Sequence, residues 1–150
     1  MKKFNIILLI LWLVVIFMFS SDHADESSKK SDGIANYIVS TIENITGHKF
    51  KSFNKVLDTC IVLVRKSAHF LEYMVLGILV INVIKDIKIL EIKYIVMAII
   101  FCMLYSISDE IHQLFVPGRA GRIFDCFIDT LGSTTGILLY YLRYRKKIKQ

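Results

Sequence analysis

The sequence has one proline and seven glycines in 150 residues. A collagen-like repeat needs both residues in quantity, so it is excluded. Three cysteines, Cys60, Cys102 and Cys126, form no CxxC pair and no disulfide framework. Each lies within or beside an apolar stretch, where a thiol behaves as a small hydrophobe. A closed zinc pattern of Cys and His is missing. So is the nucleophile elbow of a serine hydrolase around Ser67, Ser106, Ser108 or Ser133. Charged residues amount to only 21% against 55% hydrophobic, with a mean hydropathy of +0.54. Disorder is therefore excluded, and a water-soluble globule fits poorly.

Most of the hydrophobic residues fall in four runs, at about residues 4–21, 60–84, 92–108 and 123–142. A helix of about 20 apolar residues crosses a bilayer, and only helices satisfy their own backbone there at this run length. Four spans use roughly half the chain and leave too little for a second domain. The expected fold is all-α: a single membrane domain over 1–150, built as a four-transmembrane-helix bundle. The first run follows Lys2 and Lys3 and could pass for a signal peptide. Its apolar core is long and no small-x-small cleavage pattern follows Phe19, so an uncleaved anchor is expected.

The formal net charge is +6, with a pI near 9.2. In a soluble chain this would suggest nucleic acid. Here the basic residues flank the apolar runs and set orientation instead. Residues 1–3, 85–93 and 143–150 hold ten of the nineteen Lys and Arg, with Asp86 and Glu91 as their only acids. Both termini are expected in the cytoplasm of a multi-pass plasma-membrane protein. Tyr140, Tyr141 and Tyr144 then read as an interfacial aromatic belt. In the outer loop, Ile34, Ile38, Ile42 and Ile45 recur at helical spacing, as do Phe50, Phe53, Val56, Leu57 and Cys60, with Gly47 between them. Two short amphipathic helices are expected there, after a polar, mobile stretch at 22–32.

Ionisable residues inside spans are costly and mark function by default. Arg65, Lys66, His69, Glu72 and Tyr73 open the second span. Asp109, Glu110, His112 and Gln113 close the third. Arg119 and Arg122 follow the turn at Pro117-Gly118, and Asp125 and Asp129 open the fourth. All fall at the outer ends of their helices, and nothing comparable occupies the inner halves. Arg65, His69, Glu72 and Tyr73 share one helical face, and Asp125, Asp129, Gly132, Ser133 and Gly136 share another. Gly132 and Gly136 form a small-xxx-small pair that admits a close neighbour. The expectation is a polar pocket near the outer leaflet. Lys66, His69, Arg119 and Arg122 would contact a phosphate or carboxylate. Asp109, Glu110, Gln113, Asp125 and Asp129 would orient them, with Asp109 and Glu110 neutralising Lys66 and Arg119. Two His/carboxylate pairs, His69 with Glu72 and Asp109 with His112, have a spacing that could also ligate a metal. No metal and no cofactor are expected.

The segments from Arg65-Lys66-Ser67-Ala68-His69-Phe70 through Asp109-Glu110-Ile111-His112-Gln113 and Pro117-Gly118-Arg119 to Asp125, Asp129 and Gly132 resemble the VanZ-like family. The resemblance runs from about residue 65 to 136 and includes Tyr105, and the Trp12 span looks like the family's first helix. Many members carry Asn where this chain has Asp129, which adds a negative charge here. The resemblance implies a small four-helix membrane protein linked to resistance against teicoplanin and similar lipid-bearing glycopeptides. The expected partners are a membrane lipid or lipid-linked cell-wall precursor, with a glycopeptide antibiotic as a further candidate, and no nucleic acid. Two readings of function compete with a purely structural scaffold. One is a binding protein for such a ligand, acting in resistance or envelope homeostasis. The other is a hydrolase or transferase acting on a lipid phosphate or undecaprenyl-linked substrate, with His69 or His112 and Asp109 or Glu110 as acid and base.

Overall fold

The computed structural model describes residues 2–21, 24–47, 49–50, 52–87, 90–117 and 122–148. Among them are five helices and no strand: α1 (Lys2–Ser21), α2 (Ala24–Thr46), α3 (Phe53–Ile87), α4 (Ile92–Gln113) and α5 (Ile123–Ile148). By length and composition, α1, α3 and α4 are apolar enough to cross a membrane. The fourth expected run, in α5, is interrupted by Asp125, Asp129 and a stretch of glycine, serine and threonine. Its 26 residues nevertheless extend about 39 Å.

The helix expected over residues 50–60 begins at Phe53 and is no separate element. Its register continues without a break into α3, which reaches 35 residues and about 52 Å. That exceeds a hydrocarbon core of about 30 Å. The backbone of the stretch expected to be mobile is helical from Ala24, as the start of α2. The break between the two patterns is where the sequence placed it. Gly47 has a φ of 65°, a left-handed conformation that suits glycine, and its N–H caps the carbonyl of Glu43. The Glu43 side chain then accepts the N–H of Phe50 and ties the turn back.

α3 packs against each of the other four helices, most extensively against α5. Three glycines set that closeness. Gly132 lies on the backbone of Phe70, Gly136 on that of Met74, and Gly77 on that of Ser133. The core joins Ile16, Tyr73, Leu76, Ile81, Ala98, Cys102 and Ile137 from α1, α3, α4 and α5. α2 buries Ala35 and Val39 and lies along α3. Many large apolar residues point outward, including Phe4, Ile7 and Leu11 of α1 and Met97, Phe101 and Leu104 of α4. In water such a surface would aggregate; in a bilayer it is the contact with lipid.

Candidate functional site

The polar residues of α3, α4 and α5 do converge. Asp129 is fully buried at the centre. It accepts a hydrogen bond from Ser106 Oγ at 2.7 Å through Oδ2, while Oδ1 lies 3.4 Å from His69 Nδ1. The His69 approach is close but not aligned as a hydrogen bond. Tyr73 is fully buried beside Ser106 and faces Tyr105 at a ring-centroid distance of 6.5 Å. One turn towards the end of α4, buried Asp109 accepts the Gln113 amide at 3.2 Å. Glu110 is buried as well and accepts the backbone N–H of Arg122 at 2.6 Å.

Lys66 pairs with Asp125 at 3.2 Å and sits 5.0 Å from the Phe124 ring centroid. Its counter-charge is therefore Asp125 rather than Asp109 or Glu110 as expected. The phase of α5 explains this, because Asp125 lies one turn before Asp129 on the face that meets α3. Arg65 is half-buried and has no ion-pair partner among the described residues. The Arg122 side chain is exposed. Gly118 and Arg119 lie outside the described residues. Glu72 accepts the Trp12 indole N–H through its carbonyl at 3.1 Å, which ties α3 to α1.

His112 turns away from His69. It meets Ser21 Oγ at 3.1 Å and stacks on Phe17, both of α1. The two expected His/carboxylate pairs thus face different neighbours. Among the described residues no three His, Cys, Asp or Glu side chains could share a metal ion.

The first helix is the part that spacing missed. It supplies Phe17 and Ser21 to His112, the buried Ser20 beside Asp109, and the Leu13 carbonyl that accepts Tyr105 Oη at 2.7 Å. Serines at a helix end read as ordinary caps, so spacing did not mark α1, and only the resemblance of the Trp12 span pointed to it. Ser106, considered in the sequence only as a serine without a nucleophile elbow, lies inside α4 and showed no partner there. A second polar group at the other end of the bundle qualifies the expectation that nothing comparable lies there. Asn5 donates to Asp86 at 2.6 Å, Tyr140 donates to Asn82 at 2.6 Å, and Lys85 reaches Tyr140 Oη at 2.9 Å. Asn5, Asn82 and Tyr140 are single residues in otherwise apolar runs, Lys85 and Asp86 belong to the charged flank after α3's apolar stretch, and only packing brings them together. Tyr140 is therefore a network member as well as an aromatic near the helix end.

Chemically, the cluster around Asp129 has more acids than bases. The Ser106–Asp129–His69 order also differs from a nucleophilic triad, in which histidine must touch the serine it deprotonates. Here the carboxylate stands between them, and Ser106 is fully buried. The arrangement positions groups better than it activates one.

Two grooves flank this cluster. One, between α3 and α5, is lined by Leu63, Lys66, Ser67, Phe70, Leu71 and Ile128. The other lies between α4 and α5 and includes Glu110. A family model described as VanZ/LLP1 matches residues 4–144, which include every helix core and the whole polar cluster. No curated protein and no solved structure matches the chain.

Proposed function

The chain belongs to the VanZ/LLP1 family, and from that premise we propose that it binds the anionic head of a lipid-linked envelope molecule at the outer end of a four-span bundle. α5 serves as the fourth span. Its Asp129 and Ser133 are buried, whereas Phe127, Leu131, Leu138 and Leu139 face outward as lipid contacts would. Both termini lie in the cytoplasm and the polar cluster faces the exterior, as the Lys and Arg distribution favours.

The observation that carries the reading is the setting of Lys66. Its side chain is one-third exposed and lines a groove with mostly apolar walls, while its ammonium group is held by Asp125 and Phe124. A cation so placed can accept a phosphate or carboxylate while Leu63, Phe70, Leu71 and Ile128 hold an alkyl tail. Arg119 and Arg122 add positive charge along the same stretch of chain, and Arg65 and His69 share the Lys66 helix. Asp129, Ser106, Tyr73, Asp109 and Gln113 position these groups. By sequestering or presenting lipid-linked molecules, the protein contributes to glycopeptide resistance or envelope homeostasis.

Lys66→Ala in lipid nanodiscs is expected to weaken binding of a phosphate-bearing lipid about tenfold, read by native mass spectrometry, with Lys66→Arg close to the parent. In cells, the parent should lower teicoplanin susceptibility and Lys66→Ala should restore it. A membrane-inserted Lys66→Ala that binds and protects like the parent overturns the assignment. Release of a cleaved or transferred lipid product would instead favour the enzymatic reading.

A further inference from the structure

A different face of α5 from the one that meets Lys66 borders a groove of about 470 Å³ shared with α4. Ile107, Leu114, Ile123 and Phe127 contribute to its walls, and Glu110 lines it among them. It shares no lining residue with the Lys66 groove. Glu110 is 6% exposed. The Arg122 N–H on Oε2 fixes its carboxyl group, while Oε1 is buried and has no hydrogen-bond partner among the described residues. A buried carboxyl oxygen without a donor is costly. Water meets that need badly here, because a resident water requires two to four polar partners and the walls are apolar apart from Cys126 and Thr130, whose hydroxyl already donates to the Cys126 carbonyl.

We infer that the groove holds an uncharged amphiphile whose head, an alcohol hydroxyl, donates a hydrogen bond to Glu110 while its alkyl chain lies along the apolar walls. The chemistry selects a donor. An ether or ester head leaves Oε1 as it is, and an anionic head meets a carboxyl group. The occupant therefore differs in class from the anion at Lys66. It goes beyond the proposed function, since it requires neither Lys66 nor a phosphate.

The full chain in phosphatidylcholine nanodiscs tests this with 1,2-dioctanoylglycerol and its O-methyl ether as probes, followed by native mass spectrometry. The parent should retain the alcohol about tenfold over the ether, the scale of one hydrogen bond to a charged group. Glu110→Gln, which keeps an acceptor oxygen, should preserve a preference that Glu110→Leu abolishes. Ile107→Trp, which fills the groove, should reduce retention of both probes. Equal retention of alcohol and ether by the parent overturns the inference and leaves any phosphate result at Lys66 intact. Undiminished retention by Ile107→Trp overturns it too. The parent comparison decides the matter even where Glu110→Leu fails to fold.

Discussion

Asp129 shows what one residue does in this bundle. It is fully buried, receives the Ser106 hydroxyl and stands beside His69. Replacing it with alanine leaves the buried Ser106 hydroxyl without its acceptor and removes the carboxylate beside the His69 imidazole. Asp129→Ala is therefore expected to lower unfolding free energy by about 1–3 kcal/mol in detergent micelles. Asp129→Asn keeps an oxygen for Ser106 and should stay close to the parent. Equal stability of all three proteins would show that the centre of the cluster is not held by this side chain. Asp129 and His69 were legible from helical phase because an acid and a histidine stand out in apolar runs. Ser106 and the α1 serines were not, since a serine in a helix is unremarkable until its neighbour across the bundle is known.

At the scale of elements, the contact between α3 and α5 rests on missing side chains. A Cβ at Gly136 would run into the Met74 backbone, and backbone cannot swing aside as a flexible side chain does. Gly136→Ala must therefore push the helices apart, at about 1–3 kcal/mol, the usual cost of overpacking. Gly33 in α2 is the contrast, with nothing within 4 Å of an added Cβ. Gly33→Ala should stabilise by up to about 1 kcal/mol through helix propensity alone. Unfolding of the two variants side by side checks both signs. The small-xxx-small pair at Gly132 and Gly136 was visible in the sequence, but its partner helix was not. The merging of residues 53–60 into α3 was also hidden, because a continuous helix and two abutting helices share one periodicity.

For the whole molecule, the proposed orientation predicts sidedness. Single-cysteine variants at Ser52 and Lys146, both exposed positions, should differ in intact cells. With the native cysteines replaced, a membrane-impermeant maleimide should label Ser52→Cys and spare Lys146→Cys until the membrane is opened. Labelling in the reverse order would place the polar cluster at the cytoplasmic end. The sequence by itself determined that the chain is helical, that it has membrane character, and which helix ends carry the charged residues. These follow from run length, periodicity and the cost of charge in lipid, all properties of local segments. Only the tertiary structure decided the pairings: Lys66 with Asp125, His112 with α1, and the network at the opposite end around Asn82 and Tyr140. A pairing depends on how each helix is rotated and slid against its neighbours. That is set by where glycines let backbones meet, which no single helix encodes alone.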